Sequence, residues 1–317
     1  MNSVAVIGAG AWGTALTLQA ARAGASVTLW ARDPAPIAAS RHSPHLPGIT
    51  LPGSVRVTGD LGDCAQDLAV LAVPMQHVRA VLARLPPGPP LLLAAKGVEQ
   101  GRLRLPLEIA AELHPGAPAA FLTGPSFAAE VARGLPTACV VAADDPALRR
   151  YCAGRLATPS FRLYGNADPV GAQVGAAAKN VIAIAAGGVI GAGFGENARA
   201  ALVTRGLAEL SRLVVRLGGR AETVAGLSGL GDLLLTCTGP SSRNFAFGAA
   251  LGRGATPAEA LAASRGVAEG VATAPALVAR AGTLDLPVCR AVADLLAGRL
   301  ALADAAERLL ARPRRDE

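Results

Sequence analysis

The stretch Val4–Gly13 leaves this chain few folds to choose from. Val4-Ala-Val-Ile7 is a short, continuous apolar run, followed at once by Gly8-Ala-Gly10-Ala-Trp-Gly13 and then by Thr14–Arg22, which has helical character. Glycines spaced G-x-G-x-x-G are weak evidence alone, but between a strand and a helix they mark a dinucleotide-binding turn. Gly8 allows the tight turn, Gly10 lets the backbone approach a pyrophosphate, and Gly13 permits close packing of helix on strand. The phosphates then lie against unpaired N–H groups at a helix N-terminus. Gly24 ends the helix, and Ser26–Trp30 reads as the second strand. That strand runs out as Ala31-Arg32-Asp33. Arg32 suits a 2′-phosphate and Asp33 suits ribose hydroxyls, so NADPH and NADH both stay open as cofactors.

The same alternation continues. Strands are expected at Leu68–Val73, Leu91–Ala95, Ala119–Thr123, Thr137–Ala142 and Phe161–Tyr164, with helices at Gln76–Leu85, Leu105–Leu113 and Pro146–Leu156. The Pro- and His-containing stretch Ser40–Gly53 reads as a loop. This pattern implies an α/β domain with a doubly wound parallel sheet, whose ligands bind beyond the carboxyl ends of the strands. Pro74, Lys96 and Gly124–Ser126 all follow strand ends, so the fold would bring them to one crevice.

From about Pro169 the pattern becomes almost wholly helical, with helices expected at Val170–Gly187, Glu196–Leu217 and Phe245–Leu251. Shorter ones follow at Pro257–Ser264, Glu269–Ala281, Pro287–Leu296 and Leu302–Ala311. Two domains are therefore expected, 1–168 for the dinucleotide and 169–317 for substrate and catalysis.

Lysine is the rarest signal in the chain. Of 30 basic residues only Lys96 and Lys179 are lysines; all the others are arginines. Both sit beside apolar runs, Leu91–Ala95 and Val174–Ile184. A guanidinium does not give up its proton, whereas an ammonium with a lowered pKa does. The plain alternative is that these lysines snorkel to solvent. Asp232 likewise lies among apolar residues, either paired with a cation such as Lys179 or serving as a helix N-cap. Ser242-Arg243-Asn244 opens a helix and reads either as a capped surface helix or as a second anion site, separate from the glycine turn.

Composition narrows the class. At 51% hydrophobic and 17% charged, the 317 residues have a globular, core-rich balance. The best membrane-span candidate, 172–194, carries Lys179 and Asn180 at its middle, where a bilayer penalises them. No signal peptide is read at the N-terminus, and a cytoplasmic location is expected. Five scattered cysteines suggest neither disulfides nor zinc, and His42 and His45 lack further ligands. A net charge of +7 with few aromatics fits a small anionic ligand better than nucleic acid.

Taken together, Gly8–Ala15, Lys96-Gly97, Gly124–Ala128, Lys179–Ile182, Gly229–Asp232 and Ser242–Asn244 resemble the bacterial NAD(P)-dependent glycerol-3-phosphate dehydrogenases over nearly the whole chain. The resemblance implies a Rossmann-type first domain and a helical second domain like the C-terminal domain of 6-phosphogluconate dehydrogenase. It further implies reduction of dihydroxyacetone phosphate to sn-glycerol 3-phosphate for phospholipid synthesis by a cytoplasmic homodimer. By the same resemblance, Lys179 is the proton donor and acceptor, acting with Lys96 and Asp232. Lys96, Gly124, Ser126, Lys179, Asp232, Ser242, Arg243 and Asn244 would contact substrate. Ala11, Trp12, Arg32, Lys96, Ala128, Arg243, Val267 and Glu269 would line the dinucleotide beside Gly8, Gly10 and Gly13. Trp12 stands where the family often has Tyr or Phe. Two rivals remain at this stage: a 3-hydroxy acid dehydrogenase of the same architecture, and a non-catalytic NAD(P)H sensor.

Overall fold

A computed structural model describes residues 2–264, 266–302 and 304–305. Eight strands form one sheet: β1 (Ser3–Ile7), β2 (Ser26–Trp30), β3 (Arg56–Thr58), β4 (Leu68–Leu71), β5 (Leu91–Leu93), β6 (Ala119–Thr123), β7 (Thr137–Ala142) and β8 (Phe161–Asn166). Their order is β3-β2-β1-β4-β5-β6-β7-β8. The central strands are apolar throughout because the sheet is covered on both faces. Val4, Val6, Leu29, Val70 and Leu92 pack on one side, while Ala5, Ile7, Ala69, Leu71 and Leu93 pack on the other.

Helices α1 (Ala11–Arg22), α2 (Ala35–Ser40), α3 (Val78–Leu82), α4 (Pro106–Leu113), α5 (Ala128–Arg133) and α6 (Pro146–Leu156) accompany the strands. Strands β1 to β6 are mutually parallel, but β7 pairs antiparallel with β6, and β8 runs parallel to β7. The expected parallel sheet is therefore reversed over its last two strands.

Three other expectations shift. The short strand β3 and helix α2 were not anticipated, because three and six residues carry little periodicity. The helix expected at Gln76–Leu85 is shorter, a single 3-10 turn at Met75–His77 leading into α3. Of the helix expected at Leu302–Ala311, only residues 302, 304 and 305 are among those described, and they are helical.

The second half is built around α7 (Pro169–Gly191), which packs with α8 (Gly195–Arg216), α9 (Ala221–Val224), α10 (Asp232–Cys237), α11 (Arg243–Gly252), α13 (Glu269–Ala281) and α14 (Pro287–Leu296), while α12 (Pro257–Ala262) packs on α11. Glycine lets α7 and α11 touch backbone to backbone. A Cβ at Gly187 would lie 2.0 Å from the Phe245 carbonyl oxygen, and one at Gly248 would lie 2.0 Å from that of Ile184. By length and composition α7 could cross a membrane, but 78% of its most apolar window is buried inside the protein.

Candidate active site

The glycine turn has the shape its spacing demands. Gly8 adopts φ +116°, and a Cβ there would meet the Ala72 carbonyl at 2.8 Å. A Cβ on Gly13 would fall 1.7 Å from the Gly8 carbonyl oxygen, so nothing larger than glycine fits between turn and helix. Gly10 differs: no atom lies within 4 Å of its Cβ position, and no side chain caps the α1 N-terminus that it begins. Open space before uncapped N–H groups is what a pyrophosphate needs, so these residues fit a dinucleotide. Ala11 and Trp12 are half-buried in the first turn of α1, with Trp12 packed on the core beneath the sheet and its Nε1 without a partner. Arg32 and Asp33 are exposed just past the end of β2, and Ala128 opens α5, which follows β6 and packs on α1.

The two lysines converge, as their rarity suggested. Lys96 follows β5 and donates to Asp232 Oδ2 at 2.7 Å and to the Gly124 carbonyl at 3.3 Å. Lys179, midway along α7, donates to Asp232 Oδ1 and, at 3.0 Å, to Thr236 Oγ1. Thr123 Oγ1, at the end of β6, donates weakly to Asp232 Oδ2 at 3.4 Å. The Asp232 side chain is only 1% exposed and that of Lys179 8%, so this is a buried cluster with no snorkelling. Asp232 is the first residue of α10, after a π-helical turn at Leu227–Gly231, and its carboxylate faces the lysines instead of capping the helix.

Two ammoniums against one carboxylate leave one net positive charge. Burial alone would raise the Asp232 carboxyl, but the Lys179 and Lys96 ammoniums outweigh it and hold it below the usual carboxylate range. Burial pushes Lys179 down to about 8; Asp232 pulls it up, and Lys96 lowers it further. A lysine tuned so near neutrality can both give and accept a proton. Gly124 at φ +131° belongs to the same constellation: a Cβ would strike Cys139 Cα at 2.9 Å, and its carbonyl also accepts from Ser126 Oγ at 3.0 Å.

At the α11 N-terminus, Ser242 Oγ accepts from the Phe245 N–H at 3.2 Å, which is the capping reading. Arg243 is exposed beside that terminus, and Asn244 is buried. Glu269, at the start of α13, accepts from the Met75 N–H at 3.1 Å and so ties the helical half to the loop after β4. Burial raises its carboxyl to about 7, against the effect of that bond and of Arg243. Val267 is half exposed two residues earlier. The residues to which the sequence assigned no role in the site are Thr236, Thr123 and Asn180. Only Thr236 carried a legible signal, one helical turn beyond Asp232 and so on the same face.

Comparison with known proteins agrees with this geometry. Residues 3–149 match the N-terminal region, and residues 168–307 the C-terminal region, of the NAD-dependent glycerol-3-phosphate dehydrogenases. The glycerol-3-phosphate dehydrogenase (NAD(P)+) of Acidiphilium cryptum is 56% identical, over 99% of this chain and 98% of that protein. Its counterpart in Caulobacter vibrioides is 52% identical, over 100% and 99%. The crystal structure of glycerol-3-phosphate dehydrogenase from Coxiella burnetii superposes with a TM-score of 0.94 at 35% identity, covering 98% of this chain and 99% of that one. A ketopantoate reductase from Ralstonia eutropha, at 17% identity and a TM-score of 0.58, shares the fold alone. With both regions matched and relatives above half identity along its length, the chain belongs to the NAD-dependent glycerol-3-phosphate dehydrogenase family.

Proposed function

We propose that this protein reversibly reduces dihydroxyacetone phosphate to sn-glycerol 3-phosphate with NADPH or NADH, supplying glycerophospholipid synthesis. The observation that carries the reading is the buried Lys96–Asp232–Lys179 cluster, net positive and reached from both halves of the chain. Gly8, Gly10, Ala11, Trp12 and Gly13 hold the dinucleotide pyrophosphate end, with Arg32 at the adenosine side and Ala128, Val267 and Glu269 toward the nicotinamide. When bound, the reduced nicotinamide supplies a hydride to the ketone carbon.

Negative charge then grows on the ketone oxygen. Lys179 donates a proton to that oxygen, and Lys96 stabilises the charge in a site from which water is excluded. Asp232 keeps both ammoniums in place and prevents two like charges from driving each other apart. Arg243 clamps the phosphate with the uncapped part of the α11 N-terminus behind it, holding the carbonyl in register for attack. Gly124, Ser126, Ser242 and Asn244 complete the substrate side. A non-catalytic sensor needs the glycine turn but has no use for two buried lysines sharing one carboxylate.

The working unit is a division at 168/169, where Asp168 caps α7 by accepting from the Gly171 N–H at 2.8 Å. We assign the protein to the cytoplasm as a homodimer; its five cysteines, all buried and free, suit a reducing compartment. Light scattering giving the mass of one chain would reject the dimer. The activity is tested by following NADPH absorbance with dihydroxyacetone phosphate, unphosphorylated dihydroxyacetone and small keto acids. Equal turnover of the phosphorylated and unphosphorylated ketones would sink the assignment. Lys179→Arg keeps the charge but not the titration, and turnover is expected to fall by about a hundredfold or more with NADPH binding retained.

A further inference from the structure

Family resemblance places Asn244 on the substrate, yet its carboxamide is already engaged inside the protein. Its Oδ1 accepts from the Gly270 N–H at 2.9 Å, in the first turn of α13. Its Nδ2 donates to Asn180 Oδ1 at 2.9 Å, on α7 directly after Lys179. The orientation of both amides follows from chemistry. A backbone N–H only donates, so Asn244 must turn its oxygen to Gly270 and its NH2 to Asn180, which must then present oxygen. At the same point Gly270 packs so closely on α7 that a Cβ would lie 2.5 Å from the Asn180 carbonyl oxygen. Three helices thus meet at one buried amide, 7% exposed.

Each of these helices brings a different part of the site. Helix α11 brings the phosphate end through Ser242 and Arg243, and α7 brings Lys179. Helix α13 brings Glu269, whose Oε1 holds the Met75 N–H of the dinucleotide half. From this juxtaposition we infer that Asn244 is a positioning residue for cofactor as well as substrate. Its bridge sets the first turn of α13 against α7 and thereby fixes where Glu269 meets the nicotinamide side. The inference rests on the dehydrogenase reading for what the site binds, but it concerns NADPH affinity in the absence of any ketone.

The test is equilibrium binding of NADPH alone to the full-length protein, followed by its fluorescence. Asn244→Ala is expected to weaken NADPH at least fivefold, although the Asn244 carboxamide is bonded to Asn180 and Gly270, and to raise the KM for dihydroxyacetone phosphate. Asn180→Ala breaks the same bridge from the other side and should give a similar loss, with the double variant little worse than either. Thr256→Ala is the comparison: it removes the cap of the neighbouring helix α12, where Thr256 Oγ1 accepts from the Glu259 N–H at 3.3 Å, without touching the bridge, and NADPH affinity should stay within twofold of the parent. An unchanged NADPH affinity in Asn244→Ala, with only the KM raised, would make Asn244 a plain substrate ligand and overturn the inference. Equal weakening by Thr256→Ala, or additive losses in the double variant, would overturn it too. Failure of the parent to turn over dihydroxyacetone phosphate would instead strike the proposed function.

Discussion

At the scale of single residues, the chemistry turns on why Lys179 is a lysine. Burial brings its ammonium down to about 8, with Asp232 resisting the fall. Reduction needs the protonated form and oxidation the neutral one. The kcat/KM for ketone reduction should therefore be level below about pH 8 and fall above it, while that for glycerol 3-phosphate oxidation rises through the same value. Removing the carboxylate in Asp232→Asn leaves two facing ammoniums, so the limb should move to lower pH as activity drops. A limb that stays in place in Asp232→Asn would show that the carboxylate does not set the Lys179 titration. The rarity of lysine made these positions legible beforehand. Thr236 was given no role because a threonine in a helix has many ordinary reasons to be there; its spacing from Asp232 was the one hint, and the 3.0 Å contact with Lys179 gives it a place.

At the scale of elements, glycines do opposite work. Gly13 and Gly187 stand against backbone, whereas the space before Gly10 is open. Gly187→Ala must push α11 off α7 and should lower stability by about 3 kcal/mol or more, seen as a large drop in melting temperature. Gly10→Ala has no neighbour to strike and should cost less than about 1 kcal/mol of stability, while its methyl meets the pyrophosphate and weakens NADPH by roughly tenfold, about 1.4 kcal/mol. A Gly10→Ala variant that binds NADPH like the parent would remove Gly10 from the phosphate cradle. The reversed strands β7 and β8 are an element-scale result too. Their residues read as strands in either direction, and only the pairing of β7 with β6 shows which way they run.

At the scale of the whole molecule, the halves are joined by few polar clasps outside the catalytic cluster. Arg280 on α13 makes a bidentate pair with Glu108 on α4, at 2.7 and 2.6 Å, and also holds the Leu103 carbonyl. Leu103 has φ +59°, an uncommon conformation for a side chain of this size, in the loop that runs from Lys96 to α4. Burial alone would raise the Glu108 carboxyl, but its bonds to Arg280 and to the Leu105 N–H bring it below its usual range. Arg280→Met should therefore destabilise by about 1–2 kcal/mol near neutral pH, a modest figure because Glu108 is partly solvated. An acid whose pKa is depressed on folding contributes fully above its unfolded value, so the gap between variant and parent should begin to shrink below about pH 4.5 and close as pH falls through the depressed folded value. Parallel melting curves with a constant gap down to pH 3 would rule out the Glu108 pair as its source.

The order of residues alone determined the dinucleotide turn, the change from alternating to helical architecture, and the two lysines as the chemical anomaly. Each is local: glycine spacing, apolar periodicity and composition act within a few residues of themselves. Folding decided what pairs across distance. Asp232 could have capped its helix, the Asn244 amide could have stayed without a protein partner, and β7 could have run parallel. Which of these happened depended on partners 136, 64 and 26 residues away and on the pairing of β7 with β6. Burial then did what sequence cannot express: it removed water from Lys179 and Asp232 together, with Lys96 half-buried beside them, and so set a lysine titrating near neutrality.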